Sequence, residues 1–197
     1  MRPGFKSYSE VTSGSKKSVI FSTSMTKGIR PGIFNREHYT QGNATFHRFH
    51  GGKVRHIRNQ IETHLQEEGP DAAILMIGGN DLSTLRGEKS IPVGNIANQI
   101  IDCAMLCKKY QVQDICISSV LPRKEDHTKK TEERRKELNE TLRSLCAIYN
   151  FIFLDNDVGE GKIVYPDYMY DGVHLTDVAS DLLSRKFGGL LNALHGG

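Results

Sequence analysis

The sequence predicts an α/β protein in which a five-stranded parallel sheet lies between two layers of helices, and three observations support this. Short apolar segments recur along the chain, separated by helical patterns. One segment, Ala72–Ile77, is apolar throughout, which is typical of a central strand covered on both faces. Strands that alternate with helices favour parallel pairing, because parallel neighbours need a long crossover connection.

The predicted strands are short segments bounded by polar or glycine-containing turns. They are Ser18–Ser22, Thr45–Phe49, Ala72–Ile77, Ile115–Val120 and Phe151–Leu154. The second alternates between apolar and polar residues, whereas the third is uniformly apolar.

Four helices are predicted from apolar residues that recur at three- and four-residue spacing. Thr176 is the predicted N-cap of the last one. The apolar positions are Val54, Ile57, Ile61 and Leu65; Ile96, Ile100, Cys103, Ala104 and Cys107; Leu138, Leu142, Leu145 and Tyr149; and Val178, Leu182, Leu183 and Leu190.

Length and composition favour one soluble domain. The chain has 197 residues, of which 38% are apolar and 25% charged. Residues 1–17, rich in Ser, Gly and Lys, are predicted to form a flexible tail or linker, and residues 18–195 the domain. Neither a membrane-spanning apolar run nor the apolar core of a secretory signal is present in the sequence.

The four cysteines are expected to be free, buried thiols. None of them shows CxxC spacing, which argues against a zinc site or a disulfide framework. Free thiols are typical of a reducing compartment, so a cytoplasmic location is expected. The cysteines are Cys103, Cys107, Cys116 and Cys146.

A basic stretch runs from Arg123 to Lys136, although the net charge of the whole chain is only +3. Its seven basic residues are interleaved with four acidic ones, which favours a solvated loop and helix start. The alternative is contact with an anionic surface, such as phosphate or lipid headgroups.

Polar and glycine-rich residues follow each predicted strand. In a parallel sheet the carboxyl ends of the strands share one edge, where ligands bind. We therefore expect these residues to converge. They are Ser24 after the first strand, Gly51 and Gly52 after the second, Gly78 to Asp81 after the third, Arg123 after the fourth, and Asp171 and His174 in the loop after the fifth.

These segments resemble the four blocks of the SGNH, or GDSL-type, hydrolase superfamily. The blocks are Ser22-Thr23-Ser24, His50-Gly51-Gly52, Gly78-Gly79-Asn80-Asp81 and Asp171-Gly172-Val173-His174-Leu175, in family order. The resemblance implies a three-layer α/β/α, flavodoxin-like SGNH fold. It also implies a Ser-His-Asp triad. No zinc, nucleotide or flavin motif appears in the sequence, and the seven histidines other than His174 show no metal-ligand spacing, so no metal or cofactor is expected.

The residue types suit acyl transfer. A serine hydroxyl needs a base to remove its proton as it attacks, and His174 is placed to be that base for Ser24. Asp171, three residues before the histidine, would fix its tautomer and stabilise the imidazolium. The resemblance implies that the backbone N–H groups of Ser24 and Gly51 and the side-chain amide of Asn80 form the oxyanion hole.

Three points stay open at this level. The family usually has Gly-Asp-Ser where this chain has Ser22-Thr23-Ser24, which puts the geometry of the nucleophile turn in question. Gly51 and Gly52 are alternative oxyanion donors. Arg123 would either bind a substrate carboxylate or phosphate, or pair with an acid in the loop after it.

A narrower resemblance rests on Thr23-Ser24-Met25-Thr26-Lys27-Gly28-Ile29 and on the segment ending in Arg123. Both are similar to the esterase domain of first-open-reading-frame proteins of LINE-type retrotransposons. This implies a small ester or lipid substrate with an acetyl-type acyl group. It places RNA association in other parts of a longer protein, with self-association and an anionic membrane surface as further candidate contacts. A catalytically weak lipid- or RNA-binding module and a carbohydrate acetyl esterase are the alternatives.

Overall fold

The computed structural model describes residues 15–82, 90–123, 129–158, 162–163, 171 and 174–196. Within them the strands form a five-stranded sheet in the order β2-β1-β3-β4-β5, and every pair of neighbours is parallel. The strands are β1 (Lys16–Ser22), β2 (Gly42–Arg48), β3 (Ala72–Met76), β4 (Asp114–Ser118) and β5 (Ile152–Leu154).

Helices connect the strands, as the crossovers of a parallel sheet require. A short segment, α1 (Pro31–Ile33), continues as a π-helical turn over Phe34–His38. The others are α2 (Val54–Glu68), α3 (Gly79–Leu82), α4 (Val93–Lys109), α5 (Lys129–Tyr149) and α6 (Asp177–His195).

The sheet is covered on both faces, which confirms the predicted three-layer architecture. Successive residues of β1 point to opposite faces, so Phe21 packs with α2, α4 and α5 while Ile20 packs with α6. The strand order reverses between β1 and β3, as in the flavodoxin-like arrangement. The loops after these two strands therefore border the crevice in which such folds bind ligands.

The predicted strands are confirmed, with ends that differ by at most three residues. β1 begins at Lys16, which pairs with Gly42, so the last two residues of the predicted tail belong to the sheet. Residues 1–14 of that tail lie outside the described residues.

The prediction for the buried face of α6 is partly wrong. Thr176 caps the helix as expected, because its hydroxyl accepts the backbone N–H of Ala179. Val178, however, is 65% exposed. Leu182 and Leu190 are only partly buried. The buried stripe follows four-residue spacing from Ala179 through Leu183, Phe187 and Leu191.

The predicted face of α5 also differs from the structure, because Cys146 is buried where Tyr149 had been expected.

All four cysteines are buried and free, which confirms the prediction made for the thiols. Burial raises the pKa of Cys103 and Cys107 to about 12 and that of Cys146 to about 11. It also raises the pKa of Cys116. These thiols are therefore protonated packing groups rather than nucleophiles.

Candidate active site

Ser24 stands at the reversal point of the sheet, in a single 3₁₀ turn directly after β1. Thr23, the residue before it, is extended and only 2% exposed. Its side chain does not cap the turn. Instead, two buried hydroxyls close the turn, with Ser22 Oγ 2.6 Å from Thr26 Oγ1.

Arg48, the last residue of β2, also supports this turn. Its Nε donates to the carbonyl of Thr26 at 3.2 Å, and its Nη2 donates to the carbonyl of Ile29 at 2.6 Å. A carboxylate at position 23 would be a buried charge, which is costly without a partner. The chain thus holds the nucleophile turn with hydroxyls and a guanidinium where the family usually has an aspartate beside the serine.

The two glycines after β2 have different environments: Gly52 is closely packed, and Gly51 is exposed. Gly52 donates its N–H to the carbonyl of Phe49 at 3.1 Å, and a Cβ there would lie 2.5 Å from Ile57 Cγ2. Gly51 is exposed with φ +65°, and a Cβ there would contact nothing within 4 Å. The N–H of Gly52 is thus engaged within the turn, which makes Gly51 the preferred candidate of the two for an oxyanion donor.

Asn80 is held by hydrogen bonds at both ends of its amide. Its Nδ2 donates to the carbonyl of Gly52 at 2.9 Å, and its Oδ1 accepts from Arg123 Nη1 at 2.7 Å. These two partners identify which amide atom is nitrogen and which is oxygen. The second N–H of Nδ2 then points away from Gly52. The contact places the guanidinium of Arg123 against the side chain of Asn80.

Gly78 and Asp81 fix the loop that presents Asn80. Gly78 has φ +100°, and a Cβ there would lie 2.7 Å from Ile100 Cδ1, so only glycine fits the turn. Asp81 is 2% exposed, and both of its carboxylate oxygens accept the N–H of Val54 at the start of α2. Burial raises the pKa of Asp81, while the bond from Val54 opposes this rise. Asp81 therefore ties the loop after β3 to the helix that follows the glycine pair.

Asp171 and His174 form a bonded pair just ahead of α6. Asp171 Oδ1 accepts the backbone N–H of His174 at 2.6 Å, and Oδ2 lies 2.5 Å from His174 Nδ1. A carboxylate at this distance places the ring proton on Nδ1 and leaves Nε2 as the basic nitrogen. One side chain thereby fixes both the backbone and the tautomer of the histidine.

The residues that follow the serine and the histidine belong to one apolar cluster on the α6 face of the sheet. Met25, which follows Ser24, and Leu175, which follows His174, are 4% and 3% exposed in the same buried cluster. The structure thus joins Asn80 with Arg123, joins Asp171 with His174, and sets Ser24 at the crevice between β1 and β3.

Sequence reasoning assigned no supporting role to three residues that hold the site: Thr26, Arg48 and Asp81. The sequence does indicate a role for Asp81, since an acidic side chain can accept a backbone N–H at the start of a helix. No sequence pattern indicates the role of Arg48, because its contact depends on the register that sets Arg48 of β2 opposite Ser22 of β1.

The basic stretch is not a simple solvated surface. Arg135 is 6% exposed and forms ion pairs with Glu132 at 2.7 Å and Asp157 at 2.6 Å. Arg134 donates to the carbonyl of Ile91 at 2.5 Å. The expectation of solvated side chains is therefore wrong for these arginines, because Arg135 packs against the loops after β4 and β5 and Arg134 against the segment before α4. Residues 124–128 lie outside the described residues.

The described helices include none with the length and apolar character needed to cross a bilayer.

Comparisons with known proteins agree with this architecture. Residues 34–182 match the family described as GDSL-like Lipase/Acylhydrolase, a span that begins after Ser24. A GDSL-like lipase from Bacteroides thetaiotaomicron VPI-5482 has a similar structure, with a TM-score of 0.77 and 18% identity over 95% of this chain and 93% of the other. A search of curated proteins gave no match.

Two further solved structures share the fold. A lipase/acylhydrolase from Enterococcus faecalis gives a TM-score of 0.73 at 17% identity, over 91% of this chain and 96% of the other. A catalytic mutant of an acetylxylan esterase from Geobacillus stearothermophilus gives 0.70 at 16% identity, over 91% and 94%. The family match covers most of the described sheet and helices. The chain therefore belongs to the GDSL-like lipase/acylhydrolase family of carboxylic ester hydrolases.

Proposed function

We propose that this chain is a serine esterase that removes acetyl and other short acyl groups, with Ser24, His174 and Asp171 as its triad. The observation that carries the proposal is the pair of bonds from Asp171 to the backbone and ring of His174. An oriented imidazole with a basic Nε2 is what a serine nucleophile requires.

The reaction follows from these roles. His174 takes the proton of Ser24 Oγ as that oxygen attacks the ester carbonyl, and a tetrahedral intermediate forms. The intermediate collapses with loss of the alcohol, which takes the proton from the imidazolium. A water molecule then attacks the acyl-serine while His174 takes its proton. The second intermediate collapses, the bond to Ser24 Oγ breaks, the imidazolium returns the proton to that oxygen, and the acid leaves.

The oxyanion of each intermediate would be held by the N–H groups of Ser24 and Gly51 and by the amide of Asn80. Donors aimed at the developing charge are commonly the largest catalytic contribution in acyl transfer. The bond from Gly52 to Phe49 and the two bonds of the Asn80 amide support this assignment.

A short acyl group is favoured by the groove beside the nucleophile turn. This groove of about 220 Å³ lies between α1 and the start of α6 and carries four titratable side chains among its lining residues. A long acyl chain needs a predominantly apolar groove, whereas an acetyl group does not. The titratable residues are Arg30, His38, Asp177 and Asp181.

The alcohol portion has two candidates. The sequence predicts a lipid ester, by its similarity to the LINE-type esterase domain, and both the lipid and the retrotransposon assignment remain predictions. The acetylxylan esterases among the similar structures favour a carbohydrate ester. An anionic membrane surface likewise remains a prediction for the basic stretch.

Acyl-length profiling tests this function. Turnover of p-nitrophenyl acetate should exceed turnover of the octanoate ester by about tenfold or more, because each added methylene gains only where it meets apolar surface, and four of the residues that line the groove are titratable. Parallel assays with an acetylated glycerolipid and an acetylated xylo-oligosaccharide would assign the alcohol. If the wild-type chain turned over none of these esters, the binding-module alternative would replace the proposal.

Replacing Arg123 with lysine should lower kcat by about tenfold and leave KM for a neutral ester unchanged. Lysine cannot reproduce the guanidinium bond to Asn80 Oδ1, and a loosened amide is a weaker donor to the oxyanion. Removing the donor itself, in Asn80→Ala, should cost about 10² to 10³. Steady-state kinetics measures both.

The control for that experiment is Arg58→Lys, since Arg58 is an arginine of α2 that pairs with Glu62 at 3.9 Å. Its kinetic constants should match the wild type. A raised KM confined to an anionic ester, with kcat unchanged, would show instead that Arg123 binds the substrate.

A further inference from the structure

Two histidines and a glutamate converge outside the active site, between the edge strand β2 and helix α2. His47 Nε2 lies 2.5 Å from Glu68 Oε1, and His64 Nδ1 lies 3.7 Å from the same oxygen. One ligand atom from each of the three residues lies within 4.8 Å of the others. Both imidazoles thus point a ring nitrogen at one carboxylate oxygen.

The cluster stands on regular secondary structure. His64 and Glu68 are four residues apart on α2, so they share one face of the helix. His47 lies in β2, where it pairs in register with Phe21 of β1. Ligands on a strand and a helix are held more precisely than ligands on loops.

Packing fixes the two imidazoles. The rings of His47 and His64 are stacked, with centroids 3.6 Å apart, and the ring of Phe21 stacks on His47 at 5.6 Å. The side chains of His47, Glu68 and His64 are 15%, 26% and 31% exposed, so an ion could enter from solvent. The side chains are therefore ordered before any ligand arrives.

The charge around the cluster favours a cation. Glu68 supplies one carboxylate, and Glu67 supplies a second, whose Oε2 lies 4.0 Å from His64 Nδ1. Hydrogen bonding of the two histidines to Glu68 would account for part of this arrangement. It does not account for the second carboxylate or for two ring nitrogens directed at one point.

We propose that His47, His64 and Glu68 form a binding site for a divalent transition-metal ion, with Zn²⁺ as the best match. Two imidazole nitrogens and one carboxylate oxygen are a ligand set that zinc uses, with water or a further carboxylate in the fourth position. Glu67, whose Oε2 lies 4.0 Å from His64 Nδ1, would have to move towards the other ligands to fill that position. Calcium and magnesium are poor matches, because they prefer sites made of oxygen atoms.

The ligand atoms are close to the spacing of a zinc site, and the two stacked rings must also tilt apart so that both nitrogen lone pairs face one ion. Tetrahedral zinc with ligands at about 2.0–2.2 Å separates its ligand atoms by about 3.3 Å. The 3.7 Å contact between His64 and Glu68 is already close to this value. The 2.5 Å contact between His47 and Glu68 must open by less than 1 Å, which rotation of the partly buried Glu68 side chain allows.

The ion would cross-link β2 and α2 through their side chains. These elements flank the loop of residues 49–53, which carries the glycine pair of the candidate oxyanion hole. The proposed role is structural, and it stands whether or not the chain hydrolyses esters.

Metal titration of the full, tag-free chain tests this site. After dialysis against a chelator, calorimetry with Zn²⁺ should show one ion bound per chain, and Zn²⁺ should raise the melting temperature. Glu68→Gln and His64→Gln, which keep side-chain size, should weaken binding by at least about tenfold. Both variants should lose the thermal shift.

His56→Gln is the matched control, because His56 is an exposed histidine at the start of α2. It should bind Zn²⁺ as the wild type does. Co²⁺ provides a second measurement that needs no variant: tetrahedral coordination should give intense visible d–d absorption in the wild-type chain. Absence of Zn²⁺ binding, or binding that survives in both Glu68→Gln and His64→Gln, would overturn the proposal.

Discussion

Ser24→Ala should lower kcat/KM for p-nitrophenyl acetate by at least about 10⁴-fold, because the variant lacks the oxygen that attacks the carbonyl. The fold should be unaffected, since the Ser22–Thr26 bond and the Arg48 bonds that hold the turn do not involve the Ser24 side chain. Initial rates and labelling by a fluorophosphonate probe measure the loss directly.

Ser144→Ala is the matched control for that experiment, since Ser144 is an exposed serine of α5. It should retain full turnover and full labelling. Undiminished hydrolysis by Ser24→Ala would exclude Ser24 as the nucleophile. Because the family match begins at residue 34, this experiment also establishes whether the catalytic serine lies upstream of the matched span.

His174→Ala should cost nearly as much as loss of the serine, about 10⁴-fold in kcat/KM, because no other group removes the proton from Ser24. Residues that act as one catalytic unit are strongly non-additive. The double variant Ser24→Ala/His174→Ala should therefore be no slower than the slower single variant. A double-variant loss equal to the product of the single losses would show that the two residues act independently.

Asp171→Asn completes this set. An asparagine can keep the backbone bond to His174 but cannot stabilise the imidazolium as a carboxylate does, so kcat should fall by about 10³ to 10⁴. His56→Ala, on the exposed start of α2, is the control histidine and should leave kcat unchanged. Steady-state kinetics with circular dichroism as the folding check distinguishes catalytic loss from unfolding.

The sheet and the residues at its carboxyl edge were predictable from sequence because the signals are local. Apolar runs mark the strands. Ser24, Gly51 and Asn80 follow their strands within a few positions, and Asp171 and His174 lie in the segment between β5 and α6. Asn80 and His174 could therefore be assigned to the same edge before their contacts were known. The strand order, with its reversal between β1 and β3, then follows from the short list of topologies open to right-handed crossovers.

Contacts across elements were not predictable in this way. The bonds from Arg48 to the nucleophile turn depend on the register of β1 and β2, which no local pattern encodes. The His47–His64 pair depends on how a strand side chain meets a helix seventeen residues later, so its spacing resembles no zinc motif. The buried face of α6 was likewise not predictable from the sequence of that helix. The cap at Thr176 and the sheet behind α6 select this face, and they leave Val178 exposed.

The double attachment of the loop after β3 has a consequence for substrate choice. Asn80 is bonded to Gly52, and Asp81 is bonded to Val54, so the loops that carry Asn80 and Gly51 behave as one rigid body. An oxyanion hole assembled by folding needs no closure driven by remote parts of a substrate. We therefore expect a small ester with nothing beyond its acetyl group and a simple alcohol to reach the full chemical rate, with larger alcohols changing KM rather than kcat.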